Sequence, residues 1–331
     1  MIQLNRKERH RVMTAVTIIS GFLGAGKTTL IREFMKKLYA KEQIVLIENE
    51  FGEIGIDAAF LENTGIAIKE INSGCICCSL VGDFKTALLQ VLEQFHPDRI
   101  IIEPSGVGKL SDVLKAVKEA DARLLIDKAL CVVDVKKGKL YARNFGEFFR
   151  DQIEYADGVL LSRTQYASAE EISEAVMVVR GICEETAICT TPWEELDQRA
   201  WQNLFAHFKR KQYHHFSQEE EAHARHHHAH DEKHHHHHAD EVFASFARET
   251  IKLYTREEVK HIAQELAEQE SYGTLLRAKG ILLGEQEAYQ FDVTPHEYEV
   301  RCVTAQKQGR YCVIGAKLNE DALRKLFEEG S

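Results

Sequence analysis

Thr17-Ile18-Ile19-Ser20-Gly21-Phe22-Leu23-Gly24-Ala25-Gly26-Lys27-Thr28-Thr29-Leu30 is the stretch that decides the fold. From Gly21 onward it fits G-x-x-x-x-G-K-[ST], with Gly21, Gly26, Lys27 and Thr28 at the four required positions. A β-branched run, Val16 to Ile19, precedes it and a helical pattern follows. That strand, loop and helix context marks a phosphate-binding loop. The glycines let backbone N–H groups turn inward as an anion nest, and the next helix adds the positive end of its dipole. Gly21, Leu23, Gly24, Ala25, Gly26, Lys27, Thr28 and Thr29 are the expected cradle of a nucleoside triphosphate. In it Lys27 reaches the terminal phosphates and the Thr28 hydroxyl holds Mg²⁺.

Working outward, 331 residues are more than a single core normally supports, so two domains are expected. A net charge of −10 argues against nucleic acid as a main partner. No apolar run approaches the ~20 residues that cross a bilayer. Arg6, Lys7, Arg9 and Arg11 ahead of Val16 to Leu23 imitate a signal peptide, but the apolar part is the phosphate-loop strand itself. The expected location is the cytoplasm, with residues 1–13 as an N-terminal extension. Eight cysteines in a reducing compartment are not expected to form structural disulfides.

Apolar runs at 15–20, 44–48, 66–71, 99–103, 129–134, 158–162 and 187–190 alternate with helical patterns. Leu30, Ile31, Phe34, Met35 and Leu38 share one helical face, as do Phe84, Leu88, Val91, Leu92 and Phe95. This alternation predicts an α/β domain over 14–206, a P-loop NTPase domain with a mainly parallel sheet, whose ligands sit at the carboxyl ends of strands. The residues following each run are the candidates. After the second run come Glu50, Glu53 and Asp57 in a loop with two glycines; they either ligate a phosphate-bound Mg²⁺ or form a solvated acidic loop. After the third come Cys75, Cys77 and Cys78, soft thiolate ligands for Zn²⁺ or another late transition metal. Cys75 with Cys77 is the safer pair, because neighbours in an extended chain point apart. Glu53 or Glu50 is the candidate further ligand. After the fourth comes Glu103-Pro104-Ser105-Gly106, where Glu103 can orient Mg²⁺ or the attacking water and the Gly106 N–H can approach the γ-phosphate.

In order and spacing, the loop Gly21 to Thr29, Asn49-Glu50-Phe51-Gly52-Glu53 with Asp57, Gly74-Cys75-Ile76-Cys77-Cys78 and Glu103-Pro104-Ser105-Gly106 resemble the CobW-type GTPases of the SIMIBI class. That family is similar to the nickel-insertion GTPases of urease and hydrogenase, and its members are regarded as metallochaperones. Asp151 to Asp157 resembles the segment before the family's base-recognition loop. The resemblance implies that Cys75, Cys77 and Cys78 bind the cargo metal and that residues 49–57 sense the nucleotide. One departure stands out: the family's Asn-Lys-x-Asp is here Ser162-Arg163-Thr164-Gln165. Arg163 can still stack on a base, but Gln165 offers one neutral carbonyl where a carboxylate offers two oxygens. GTP is expected to remain the ligand, with weaker discrimination.

Residues 207–240 hold thirteen of the seventeen histidines, among them His226, His227, His228, His230, His234, His235, His236, His237 and His238. This stretch has little to bury and reads as a disordered linker that chelates metal ions, against a plain polar linker. Residues 241–331 read as a smaller α+β C-terminal domain. Its expected strands are at 242–251, 298–303 and 310–317, with a helix opened by the capping box Thr255-Arg256-Glu257-Glu258 and a last one at Asn319. Leu275 to Gly280 resembles the segment that marks the CobW C-terminal domain. Client docking or a structural appendage is the role expected of it.

The preferred function is a nucleotide-gated metallochaperone, a slow GTPase that carries Zn²⁺, Co²⁺ or Ni²⁺ to a client metalloprotein, with no nucleic acid or membrane partner and homodimerisation left open. Its rivals are a metal buffer with a vestigial nucleotide site and a P-loop kinase of a small molecule.

Overall fold

The computed structural model describes residues 13–48, 67–70, 81–209, 211 and 242–329. The β-branched runs form a seven-stranded sheet of β1 (Thr14–Gly21), β2 (Ile44–Glu48), β3 (Ala67–Glu70), β4 (Arg99–Glu103), β5 (Leu124–Asp134), β6 (Gly158–Ser162) and β7 (Ala187–Cys189). The order is β3-β2-β4-β1-β5-β6-β7 and every pairing is parallel. Among the described residues, helices α1 (Lys27–Lys37), α2 (Val81–Phe95), α3 (Leu110–Ala120), α4 (Gly138–Asn144), α5 (Gly146–Glu154) and α6 (Ala169–Ile182) lie between strands, and α7 (Gln198–His207) follows β7.

Alternate strand residues feed two cores, as a sheet covered on both faces requires. Val16 and Ile18 pack with Leu88, Val113 and Phe149 from α2, α3 and α5. Ile19, Leu130 and Leu160 pack with Phe34 of α1 and Trp201 of α7. β5 begins before the apolar run at 129–134, because Leu124 and Ile126 are buried while Asp127 and Lys128 interrupt the pattern. The interruption has a partner: Asp127 accepts from the buried Arg99 guanidinium at 2.8 Å. Strand β1 lies between β4 and β5, where the sheet order turns back on itself, so its carboxyl end opens into the crevice where α/β sheets bind ligands.

The second sheet is antiparallel throughout. It comprises β8 (Ala244–Thr250), β9 (Thr274–Leu283), β10 (Ala288–Thr294), β11 (Glu297–Val303) and β12 (Gly309–Ala316), in the order β11-β10-β9-β12-β8. Helices α8 (Arg256–Glu268) and α9 (Glu320–Arg324) complete the α+β arrangement. Two strands, β9 and β10, go beyond the expected set. β9 hides from a period-2 reading because both its faces are covered: Leu276 joins the core of the first sheet, while Leu275, Ala278 and Leu282 face the α8 side. The second sheet packs against the first domain. Phe243 packs its ring 5.3 Å from Phe145 and 5.0 Å from Phe148, and Cys312, Ile314 and Ala316 enter the same core.

Candidate nucleotide site

The loop after β1 turns through left-handed glycines. Gly24 has φ 73° and Gly26 φ 102°, conformations that side chains rarely adopt. Gly26 caps α1 without a side-chain hydrogen bond, and no acidic residue sits in the first turn. The first N–H groups of the helix are therefore available to an anion. Gly106, after β4, lies directly against this loop: a Cβ there would fall 2.5 Å from Leu23 N. Thr28 Oγ1 donates to both Glu103 carboxylate oxygens at 3.2 Å. Lys27 Nζ, buried, donates to the carbonyls of Gly21 at 3.0 Å and Phe22 at 3.3 Å and lies 4.0 Å from Glu103 Oε1. Glu103, 75 residues further on, thus meets Lys27 and Thr28 in the wall of a pocket of about 870 Å³.

The loop after β6 adjoins the phosphate loop in the pocket wall: a Cβ on Gly26 would lie 3.7 Å from Ser162 Cβ. Ser162, Arg163 and Gln165 all line the pocket, together with Trp193 and Glu194. Arg163 Nη2 donates to Gly24 O at 3.4 Å, and its Nη1 makes ion pairs with Asp134 and Glu297, each at 2.8 Å. Gln165 Nε2 donates to Glu194 Oε1 at 3.5 Å.

One wall of the pocket corresponds to no nucleotide-binding motif in the sequence. Arg277, Asp292, Thr294, Glu297, Glu299 and Arg301 of the second sheet line the same pocket. Lys137, buried after β5, donates to Thr294 Oγ1 and, at 2.7 Å, to Glu297 Oε2. Burial pushes the Glu297 carboxyl up, but Lys137 and then Arg163 outweigh it and hold it below the usual carboxylate range. Burial also lowers Lys137, against the pull of Glu297 and Asp134. The signal was present in the sequence: Glu297, Glu299 and Arg301 alternate along β11, so charge of a kind unsuited to a core marks one face.

The acidic-loop residues Glu50, Glu53 and Asp57, the thiols Cys75, Cys77 and Cys78, and His226, His227, His228, His230 and His234 to His238 lie outside the described residues. Among the described residues, no group of three or more His, Cys, Asp or Glu is arranged to hold a metal ion. Cys131, Cys183, Cys189, Cys302 and Cys312 are free thiols. No described helix is long and apolar enough to cross a membrane.

A phosphate loop facing a strand-end carboxylate on a parallel sheet defines a P-loop nucleotide-binding domain, and the profile of the CobW/HypB/UreG nucleotide-binding domain matches residues 15–190. The chain belongs to that family. It is 35% identical over 160 residues to the zinc chaperone YeiR of Escherichia coli, covering 48% of this chain and 49% of YeiR. It is 34% identical over 169 residues to the zinc chaperone YjiA of the same organism, covering 48% and 52%. The crystal structure of Zn(II)-bound YjiA GTPase aligns over 96% of this chain and 99% of that one, with 23% identity and a TM-score of 0.44. The zinc-regulated GTPase metalloprotein activator 1 of Schizosaccharomyces pombe is 29% identical over 192 residues, 55% of this chain and 46% of the relative. The chain spans about half the length of the curated relatives it matches.

Proposed function

We propose that this protein is a GTP-hydrolysing metallochaperone that binds a transition metal ion, zinc foremost, and couples its transfer to a client metalloprotein to hydrolysis. The observation that carries the reading is the meeting of Thr28 and Glu103 at 3.2 Å beside Lys27 on a phosphate loop. Relatives named zinc chaperones and a zinc-regulated GTPase metalloprotein activator support the cargo and the nucleotide. The Thr28 hydroxyl, a hard oxygen donor with the Glu103 carboxylate alongside, suits Mg²⁺ and would hold it. Bound there, it would neutralise charge developing on the phosphates. The loop N–H groups grip the β- and γ-phosphates, Lys27 offsets their charge, and Glu103 orients the water that attacks in line, with slow turnover.

The cargo site in this reading is Cys75, Cys77 and Cys78 with Glu50 or Glu53, and residues 49–57 relay nucleotide state to it. The histidines of 226–238 gather ions, and the protein works in the cytoplasm. The test is transfer of Zn²⁺ to a chelating acceptor with GTP, GDP or no nucleotide, using the parent, Lys27→Ala and Cys75→Ser. Lys27→Ala is expected to bind GTP at least ~10-fold more weakly and to keep its zinc while losing nucleotide-dependent release. Transfer indifferent to nucleotide, or phosphate passed to a small-molecule acceptor in place of water, overturns the proposal.

A further inference from the structure

Guanine and adenine differ at one edge. Guanine presents two adjacent donors, N1–H and the 2-amino group, whereas adenine presents an N1 acceptor and no 2-amino group. A carboxylate pairs with the first edge and repels the second, so a pocket that selects guanine needs two acidic oxygens there. Residue 165, where the carboxylate is expected, is an amide, and its donor end is already committed to Glu194 Oε1 at 3.5 Å. Both side chains line the pocket.

Glu194 is held in a fixed frame. It sits in the single 3₁₀ turn Trp193–Glu195, closed by Glu195 N donating to Pro192 O at 3.1 Å. Trp193 is buried against the phosphate loop: a Cβ on Gly26 would lie 3.6 Å from its Cη2. Lys37, in the last turn of α1, donates to Trp193 O at 3.2 Å and Leu196 O at 2.8 Å. The same helix that starts at the phosphates therefore anchors, at its far end, the turn that carries the carboxylate. The Glu194 side chain itself is exposed to the pocket.

We infer that Glu194, and not residue 165, supplies the carboxylate that reads the donor edge of guanine, with Gln165 as the positioning residue that holds it. The inference rests on the guanine-nucleotide reading proposed above, and it predicts stronger discrimination than a lone amide at 165 allows.

The experiment is equilibrium binding of GTP, ATP and xanthosine triphosphate to the full chain, for the parent, Glu194→Gln and Glu194→Gln/Gln165→Asp, with thermal melting to confirm folding. The parent is expected to favour GTP over ATP. Glu194→Gln should weaken GTP by ~10- to 100-fold, the worth of a hydrogen bond to a charged group, and leave ATP binding no weaker, since the repulsion at adenine N1 is removed. It should also gain affinity for xanthosine triphosphate, whose 2-carbonyl accepts from the new amide. Returning a carboxylate at 165 should restore GTP. A GTP-to-ATP ratio in Glu194→Gln equal to that of a discriminating parent overturns the inference and leaves the functional reading standing. A parent that binds no GTP, or prefers ATP, overturns both.

Discussion

Asp151 shows how a residue singled out by its neighbourhood in sequence takes on a structural task. It lies in α5 and accepts from Ser111 N at 3.1 Å and Ser111 Oγ at 2.6 Å, which pins the start of α3. Burial raises its carboxyl to about 6 against the pull of the Ser111 hydrogen bonds. The folded state therefore holds the proton more tightly than an unfolded chain, whose Asp titrates near ~3.9. The associated stability is fully present below about pH 4 and is lost as pH rises through about 6, an amount of about 3 kcal/mol. Asp151→Asn stays neutral and keeps an acceptor for Ser111. Urea unfolding at several pH values should show the variant gaining on the parent by roughly that amount between about pH 4 and pH 7; parallel curves would sink the idea. At this scale the phosphate end of the site was legible in the sequence, since Gly21 to Thr29 is one contiguous stretch whose chemistry is local. Glu194 was not, because an isolated acid carries no signal until folding sets it beside Gln165, and Glu297 showed only as one member of the charged stripe along β11.

Among the elements, the strands of the first sheet were legible because parallel strands buried on both faces appear as unbroken apolar runs. β9 was harder for the same physical reason in an antiparallel setting, where alternation is the usual sign and double burial erases it. The Trp193–Glu195 turn is the opposite case. It is three residues long, has no side-chain cap, and owes its place to α1. Two carbonyls of this segment converge on the Lys37 ammonium, which also pairs with Glu33 at 2.9 Å one helical turn earlier. Lys37→Met keeps most of the aliphatic stem and removes both donors. The change should cost about 1.5 kcal/mol in urea unfolding and reduce the GTP-to-ATP binding ratio, while Lys37→Arg recovers much of both. A variant that loses stability with its base preference intact would show that the turn does not depend on α1 for its position.

Across the whole molecule, the two sheets meet in two ways that differ in character. Phe243 packs on Phe145 and Phe148, and Leu276 and Ile314 of the second sheet join the core of the first, an apolar contact of the kind that fixes relative position. At the pocket the contact is ionic: Glu297 bridges Lys137 at 2.7 Å and Arg163 at 2.8 Å, and Arg163 in turn reaches Gly24 of the phosphate loop. A change at the phosphates thus has a short path to the β10–β11 hairpin through groups that can exchange partners. Glu297→Gln preserves size and one acceptor but removes the charge, leaving the buried Lys137 ammonium with Thr294 and the nearby Asp134. Because Glu297 is 46% exposed, the loss is set at about 1–2 kcal/mol, below that of a fully buried pair. The same substitution leaves Arg163 paired with Asp134 alone, so nucleotide affinity should fall along with stability. Limited proteolysis with trypsin provides a separate readout. In the parent, nucleotide should protect the Arg277, Lys279 and Arg301 cleavage sites, and in Glu297→Gln that protection should shrink. Equal protection in both proteins, with equal affinity, would mean that the second sheet lines the pocket without responding to what fills it.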